Sequence, residues 1–379
     1  MKKIIIACSA TLMLISCSSS KRLNVIVSNQ ADFDRNKEII EINKSSVVSK
    51  LGLKTNEQFI LLDQNSNQID YQIAGNSNQS TDSLLIFPAS VKANSKAAYT
   101  IKKGAPAPFQ SKAYGRFVPE RKDDYCWEND RVAFRVYGPA LQATGEISSG
   151  IDVWAKRTEK LIINKWYADD LSGKQSYHSD HGEGLDMYKV GPTLGAGATT
   201  PFINEKLWFS KNFISYEILD NGPMRTTVKL NYAPFQADKT EVSETRLITL
   251  DANSQFNKVT VIYNFKGNTL PVATGIVTRN SKEEKTLIST GKNYFLHAEP
   301  ADSINGELYE AVIGEKMFTN ILEKDNHILG IQQVNPNEEY TYYQGAGWNK
   351  WGFETFDSWS EYVKQFSQKL ENPLKITIK

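Results

Sequence analysis

Residues 177–189 contain a high density of side chains that exchange protons or bind metals. Two of the chain's four histidines, His178 and His181, lie three positions apart here, together with two aspartates, a glutamate, two tyrosines and a lysine. Gly182 and Gly184 disfavour a regular helix or a central strand, and loops on a rigid scaffold commonly carry chemistry. This segment, called the histidine loop below, therefore predicts a functional site.

Two kinds of chemistry fit the histidine loop. Histidine exchanges protons near neutral pH, so His178 and His181 are candidates for a general base or acid, with Tyr188 or Tyr177 as the partner. The same two histidines are candidate ligands of a divalent metal, although their spacing differs from that of known zinc sites and no cysteine lies beside them. In a third interpretation the histidines only brace a hydrogen-bonded loop. We expect no cofactor, with a divalent metal as the alternative.

Two other segments offer side chains that can hold a sugar ring. Trp127, Glu128 and Arg131 lie at the start of a predicted strand and are candidates for one wall of a cleft. Trp348 and Trp351 accompany a glycine-rich turn and offer flat stacking surfaces. The chain is rich in such rings, with seven tryptophans and seventeen tyrosines. Each of these residues also has a structural interpretation, as a strand edge or as part of the core.

Charged side chains near turns complete the set of candidates. Arg225 follows a turn and Arg279 follows a predicted strand, and the forked donors of arginine suit a carboxylate. Lys189 and Glu183 lie within the histidine loop itself. Local hydrogen bonds are the expected role of the two isolated histidines, His297 and His327.

Charge and motifs exclude several classes of function. The chain carries 44 basic and 43 acidic residues, a net charge of +1, so a basic face for nucleic acid is not indicated. The sequence contains no P-loop, no dinucleotide-binding glycine fingerprint and no G-x-S-x-G nucleophile elbow. Nucleotide and redox chemistry are therefore disfavoured.

The first residues have the pattern of an export signal. Two lysines precede an apolar run over residues 4–15, which is too short to span a bilayer. The run ends in Leu14-Ile15-Ser16-Cys17, which resembles the lipobox of bacterial lipoproteins. We expect residues 1–16 to be removed and Cys17 to be lipidated; an ordinary cleaved signal is the alternative. The prediction is a cell-envelope lipoprotein, periplasmic or at the outer-membrane surface, held to the membrane by its lipid alone.

The rest of the chain has the alternating pattern of β-strands, with one predicted helix. Short apolar runs separated by polar turns fill residues 21–104, which is typical of a small β-sandwich. Residues 109–379 contain longer alternating runs such as Lys258–Phe265, which predict an antiparallel sheet with one buried face. One helix is predicted near the end, with Asp357 as its N-cap and an apolar stripe on one side.

The predicted fold class is therefore all-β. A small N-terminal β-sandwich over 17–106 is followed by a large antiparallel β-sandwich over 107–379, which carries the C-terminal helix. After loss of the signal, Cys126 would be the one cysteine without lipid, so no internal disulfide is expected.

Several motifs together resemble a bacterial family of domains of unknown function. They are Trp127–Phe134, the histidine loop continued to Gly191, and Gly345–Trp348, and the resemblance extends over most of 22–379. Members of that family are exported lipoproteins associated with polysaccharide utilisation. The turn Asn221–Arg225 is similar to one in galactose-mutarotase-like β-sandwiches, a fold shared by several polysaccharide lyases. The family is similar to an oligosaccharide dehydratase that acts on ulvan fragments.

The resemblance implies removal of water, or of an alcohol, from a uronic acid, leaving a 4,5-unsaturated sugar. A cation must neutralise the carboxylate so that an enediolate can develop at C5, and a base and an acid must reach C5 and O4. Arg225, Arg279 and Lys189 are candidates for the cation. The candidates for base and acid are His178, His181 and Tyr188. The expected contacts to the acidic oligosaccharide are Trp127, Glu128, Arg131, Glu183, Arg279, Trp348 and Trp351.

Two alternatives belong to other functional classes. A carbohydrate-binding lipoprotein without turnover would need the tryptophans but not the histidines. A glycoside hydrolase or an aldose epimerase on the same fold is the second alternative. A hydrolase needs two carboxylates across a cleft, and Glu128 with Glu183 or Asp186 is the candidate pair.

Overall fold

The structure is a computed structural model that describes residues 21–75, 83–289, 291 and 293–379. The predicted signal segment 1–16 and the predicted lipid attachment site Cys17 lie outside the described residues. None of the helices in the described part of the chain is both long and apolar enough to cross a membrane.

Strands dominate the described residues. Strands β1 to β9 are Arg22–Ser28, Arg35–Asn43, Phe59–Leu62, Gln72–Ala74, Leu84–Val91, Lys96–Lys103, Ala113–Val118, Asp124–Asn129 and Ala133–Val136. Strands β10 to β18 are Asp152–Lys156, Gly184–Leu185, Ala196–Ile203, Lys206–Leu207, Phe213–Asn221, Arg225–Tyr232, Phe235–Ala237, Thr240–Asp251 and Phe256–Phe265. Strands β19 to β26 are Leu270–Val277, Lys285–Ser289, Tyr294–Ala298, Leu308–Gly314, Asn320–Lys324, His327–Val334, Glu339–Trp348 and Lys375–Ile378. Helices α1 to α4 are Lys44–Leu51, Pro139–Gln142, Ile163–Leu171 and Phe356–Glu371.

The small sandwich consists of two sheets, in the strand orders β26-β1-β6-β3 and β2-β5-β4. Alternate side chains of its strands point inward, as in β1, where Leu23, Val25 and Val27 are buried and their neighbours are not. Strand β26 joins this sheet from the far end of the chain, with Ile378 opposite Val25. The last residues of the chain therefore pack on the N-terminal sandwich.

The large sandwich is built around a nine-stranded antiparallel sheet with the order β14-β15-β17-β18-β25-β22-β21-β20, with β16 added beside β17. A five-stranded sheet, β13-β12-β19-β24-β23, packs against it, and a second, β11-β10-β9-β8-β7, closes one end. One continuous apolar core joins the three sheets, so the predicted all-β fold is confirmed.

Helix α4 confirms the helix that was predicted near the C-terminus, but its cap differs. Thr355 rather than Asp357 is the N-cap, since its side chain accepts a hydrogen bond from Ser358 N and Ser358 bonds back to Thr355. Trp359 and Val363 on its buried face pack on the nine-stranded sheet.

Helix α3 was not predicted from the sequence. It is short, and no side chain of its own segment caps it. The carboxylate of Glu128, in strand β8, accepts hydrogen bonds from the backbone of Ile162 and Ile163 instead. A cap supplied from a distant strand leaves no local signature at the helix start.

Candidate functional site

The histidine loop is anchored through Tyr177. Its ring is buried and stacks on Trp154 at 5.1 Å between centroids, and its hydroxyl accepts a hydrogen bond from Arg121 Nε at 2.8 Å. Its carbonyl accepts from Asp186 N at 2.8 Å, which closes the loop onto the residues that follow it. The exposed residues of the loop are therefore held in place by the buried side chain and the backbone of Tyr177.

His178 is the histidine of this loop that faces the larger cavity, and it does so with one ring nitrogen open. Its Nδ1 lies 3.1 Å from the carbonyl oxygen of Asp186. Because a carbonyl only accepts, Nδ1 carries the hydrogen and the lone pair of the neutral ring is on Nε2. The side chain is 56 % exposed, and no hydrogen bond to Nε2 is found among the described residues. The Nε2 of His178 is therefore the ring atom that a ligand could contact.

A buried charge network fixes Asp186 behind His178. Arg135 pairs with Asp186 at 2.8 Å and with Asp152 at 2.5 Å, and its guanidinium also lies 3.9 Å from Asp124. Burial raises the pKa of Asp152 and of Asp124 to about 7, against the opposing effect of Arg135. Burial likewise raises the pKa of Asp186. The network positions the Asp186 backbone, and so the imidazole of His178.

His178 opens onto a cavity of about 430 Å³, a size that suits a small organic ligand or the end of an oligosaccharide. We call it the His178 cavity. Lys189 is exposed on its wall, and among the described residues its amine has no ion-pair or hydrogen-bond partner. The cavity is lined by His178, Asp186, Met187, Tyr188, Lys189, Glu299, Pro300, Asp302, Asn305, Gly306 and Leu308.

A second charge cluster includes Glu299 of the cavity lining. Arg279 Nε donates to Glu299 at 2.8 Å, and its guanidinium lies 5.0 Å from the ring centre of Tyr188. The hydroxyl of Tyr188 is buried without a hydrogen-bond partner in the described structure, and burial raises its pKa far above the usual value. Tyr188 is therefore a neutral wall residue of the cavity.

His297 lies at the centre of this cluster, with both ring nitrogens occupied. Nδ1 contacts Glu310 at 3.1 Å and Nε2 contacts Glu284 at 2.9 Å. Burial alone would lower the pKa of His297, but its two carboxylate partners outweigh burial and raise it to about 9. The ring is therefore an imidazolium at neutral pH. We call Arg279, Glu284, His297, Glu299 and Glu310 the His297 cluster.

The His297 cluster contains the group of ligand atoms best placed for a metal. One ligand atom each of His297, Glu299 and Glu310 lie within 4.8 Å of one another. The donor set fits a metal poorly as it stands, because both ring nitrogens of His297 already bond carboxylates and Arg279 neutralises Glu299. The sequence had offered His178 and His181 as ligands, and the structure directs these two rings into different hollows.

His181 lies outside the His178 cavity. Its Nε2 contacts the carbonyl of Ser176 at 3.1 Å, and it lines a shallow hollow on the other side of the histidine loop. Glu183 lines the same hollow and pairs with Lys165 at 3.2 Å. The loop therefore separates its two histidines, and it also separates Glu183 from Asp186.

Arg225 is a structural cation far along the nine-stranded sheet. It forms two hydrogen bonds with Asp251, at 2.6 and 2.9 Å, and reaches Glu41 of the small sandwich at 2.7 Å. It lines a different cavity from His178. Its place in the fold corrects the expectation that it could neutralise the carboxylate of a substrate bound beside the histidine loop.

Two residues proposed as one wall of a cleft are interior residues instead. Trp127 is 1 % exposed and donates to Asn257 at 2.7 Å, so neither ring face is open to a ligand. Glu128 is fully buried, pairs with Lys156 at 2.7 Å and caps α3. Because Glu128 has no access to solvent, the carboxylate pair considered for a hydrolase does not assemble.

The remaining candidates lie beside the His178 cavity rather than in it. Trp348 is buried and donates to the carbonyl of Asn305 at 2.8 Å, which holds one loop of the cavity in place. Trp351 and Arg131 line a neighbouring hollow, with the guanidinium 5.7 Å from the ring centre. Arg279 supports Glu299 from behind.

Sequence reasoning missed the residues of the loop between β21 and β22 that line the cavity: Glu299, Asp302 and Asn305. No spacing connects them to the histidine loop more than a hundred positions earlier. It also missed Arg135 and Asp152, whose strand neighbours gave only an alternating pattern. An arginine between apolar residues of a predicted strand is the one sequence feature that could have suggested a paired carboxylate.

Comparison with known proteins identifies relatives of the chain. Residues 27–376 match DUF4861, a domain of unknown function. The chain is 33 % identical over 391 residues to "Uncharacterized protein P7" of Formosa agariphila, with 98 % of this chain and 97 % of that protein covered.

One solved structure shares the fold at low identity, and a second is similar more weakly. A protein of glycosyl hydrolase family 38 from Enterococcus faecalis matches with a TM-score of 0.50 and 11 % identity, over 94 % of this chain and 47 % of that one. An α-mannosidase from Enterococcus faecalis matches with a TM-score of 0.46 and 9 % identity, over 94 % and 46 %. The chain spans about half the length of these two proteins. By its match over most of its length and its 33 % identical relative, the chain belongs to the DUF4861 family.

Proposed function

We propose that this protein is a carbon–oxygen lyase that acts on the uronic acid of an acidic oligosaccharide, such as an ulvan fragment. It would release water as a dehydratase, or an alcohol as a lyase, and leave a 4,5-unsaturated uronide. The observation that carries the proposal is the open Nε2 of His178 on a cavity of about 430 Å³ whose wall also offers the unpaired amine of Lys189.

The two side chains match two of the three demands of the reaction, a cation for the carboxylate and a base for C5. The C5 proton is weakly acidic because the adjacent carboxylate is already negative. Lys189 would pair with that carboxylate and stabilise the enediolate that develops as the proton leaves. His178 Nε2 would take the proton, and the hydrogen bond from Nδ1 to Asp186 would hold the ring in place.

The same imidazole can complete the elimination. Once His178 holds the C5 proton, the electron pair of the C5–H bond forms the C4=C5 bond and the C4–O4 bond breaks. The imidazolium then returns the proton to O4, which leaves as water or as an alcohol. His178 therefore replaces the separate acid that was expected from His181 or Tyr188, since His181 lines a different hollow and the hydroxyl of Tyr188 is buried.

Other lining residues would bind the sugar. Asp302 and Asn305 are polar groups on the same cavity wall that suit hydroxyl groups, and Glu299 is held rigid by Arg279. The substrate class also draws support from the shared fold, since the Enterococcus faecalis relative is a protein of a glycosyl hydrolase family. Trp351, in the neighbouring hollow, would contact a further sugar unit.

Mass spectrometry of acidic oligosaccharides after incubation with the mature chain tests the proposal. Loss of one water without shortening indicates dehydration, and shortening with an unsaturated end indicates a lyase. Shortening with a saturated end would indicate a hydrolase and overturn the proposal, as would binding without any product.

We also propose that the mature protein is a lipoprotein of the cell envelope, with its lipid on Cys17. The proposal rests on the segment Leu14–Cys17 in the sequence. Metabolic labelling with a fatty acid, in the full chain and in Cys17→Ser, tests it. Label in the unmodified chain alone supports the proposal, and absence of label in both contradicts it.

A further inference from the structure

A second cavity, of about 550 Å³, lies where three parts of the molecule meet. The small sandwich contributes β2, the nine-stranded sheet contributes β17, β18 and β25, and α4 covers one side. It shares no lining residue with the His178 cavity. We call it the junction cavity, and its volume lies within the range of small-molecule sites.

The junction cavity combines aromatic rings with hydroxyl groups. Tyr362 and Phe366 reach it from α4 and Tyr343 from β25, with the rings of Tyr343 and Phe366 5.6 Å apart and edge to face. Thr249 and Thr260 line it from β17 and β18, and their hydroxyl groups bond those of Thr227 and Thr341. A pyranose has an apolar C–H face and a rim of hydroxyls, and so it fits a wall of this mixed kind.

Most of the carboxylates that line the junction cavity are already paired. Of the four, Asp251 and Glu41 both pair with Arg225, and Glu38 pairs with Arg35. Among the described residues, three amines that line the cavity have no ion-pair partner, whereas one lining carboxylate has none. The amines are those of Lys37, Lys258 and Lys369, and the carboxylate is that of Glu339.

Lys369 is the most enclosed of the three amines. It lies on α4 one turn after Phe366, next to the aromatic part of the lining, and it is half-buried while Lys37 and Lys258 are exposed. Burial lowers the pKa of Lys369, with a smaller opposing effect of Glu38. An amine held in a partly dry cavity without a partner gains more from an anion than an exposed lysine does.

We propose that the junction cavity is a second binding site, for a carboxylated oligosaccharide, in which Lys369 pairs with a sugar carboxylate and Tyr343, Tyr362 and Phe366 pack against a ring. This inference takes its ligand class from the proposed function but does not need turnover. It would let the protein hold an acidic chain at a point remote from the reacting sugar.

Hydrogen–deuterium exchange with trigalacturonate as the probe tests this second site. The mature His178→Ala variant is used so that the probe is not consumed, and maltotriose is the neutral control. We expect trigalacturonate to protect α4, over 356–371, and maltotriose to leave it unchanged. Lys369→Met should weaken the protection of α4, with about a tenfold higher trigalacturonate concentration required.

Lys364→Met is the matched control, since Lys364 lies on the exposed side of α4 and pairs with Glu361. It should bind trigalacturonate as the parent does, and melting curves of both variants report whether α4 still folds. Absence of protection at α4, equal protection by maltotriose, or equal affinity of the two lysine variants would overturn the inference. Protection at 186–189 reports separately on the His178 cavity, so failure of one site is distinguishable from failure of the other.

Discussion

His178 and His297 are both surrounded by carboxylates, yet the structure gives them opposite properties. His178 lies at the edge of a buried network, uses one nitrogen to bond a backbone carbonyl and leaves the other open to a cavity. His297 lies inside its network, and carboxylates occupy both nitrogens. One ring presents a nitrogen to a cavity, and the other is a buried cation of the interior.

The difference shows that a count of titratable groups does not identify a reactive site. The pKa of His297 is raised to about 9, but both of its ring nitrogens are occupied by carboxylates and the ring is fully buried. The cavity beside His178 has the free donors and acceptors. Here the buried charged residues of the His297 cluster support the wall of the His178 cavity. The candidate for chemistry is the open Nε2 of His178 on that cavity.

Replacing His178 should have the largest effect. His178→Ala removes the proposed base, so turnover should fall by about 10²- to 10⁴-fold, measured as the ultraviolet absorbance of the conjugated double bond in the product. His181→Ala is the matched control from the same loop and should keep most of the activity. An equal loss in both variants would show that the loop, and not the open nitrogen of His178, is what matters.

Replacing His297 should affect stability. His297→Gln removes a buried cation, and the rise of its pKa from 6.5 to about 9 corresponds to about 3 kcal/mol of unfolding free energy. Because the folded state holds this proton more tightly, the contribution is complete below pH 6.5 and is lost as pH rises through 9. Denaturant unfolding of both proteins across this range checks it.

The difference in unfolding free energy between the two proteins should therefore be largest near pH 6 and should shrink towards pH 9. A difference that is constant with pH would mean that His297 is neutral in the folded protein, and the contrast with His178 would then disappear.

Replacing Lys189 should lower turnover to a lesser degree. Lys189→Met removes the cation that would pair with the substrate carboxylate, and we expect kcat/KM to fall by about 10- to 100-fold. Lys160→Met is the control, because Lys160 is an exposed lysine near Glu183 outside the cavity. A substrate whose carboxylate is esterified should lose this dependence on Lys189, and a persistent dependence would contradict the pairing.

Replacing Glu284 should have the smallest effect. Glu284→Gln removes one of the two carboxylate partners of His297 while keeping the shape of the side chain. We expect a loss of about 1 kcal/mol at neutral pH, and the pH range over which the stabilisation is lost should move downward. Unfolding at several pH values measures both, and an unchanged range would mean that Glu310 alone holds the proton.

Much of the fold was predictable because alternation along strands is a local signal. The period-2 runs predicted the all-β class, and the stripe on α4 predicted the C-terminal helix. Features made by distant partners were not predictable. Strand β26 pairs with β1 across most of the chain, and α3 begins on a carboxylate from β8.

The candidate site, like the fold, was predictable only where the signal is local in the sequence. The density of ionisable groups located the histidine loop, and it placed His178 and Lys189 among the candidates. The sequence did not distinguish His178 from His181, because the turn that separates them depends on the anchoring of Tyr177 in the interior. Trp127 and Glu128 were predicted to form a cleft wall, and this was wrong. Their burial arises only when the sheets assemble, and the spacing of residues in the sequence does not report it.

A uronate oligosaccharide that carries deuterium at C5 tests the central claim most directly. After incubation with the mature chain, the product is analysed by mass spectrometry and ultraviolet absorbance. Proton abstraction at C5 predicts a product that absorbs and has lost the deuterium from the reacting ring, with both changes absent in His178→Ala. A shortened product that keeps its deuterium and does not absorb would contradict the account.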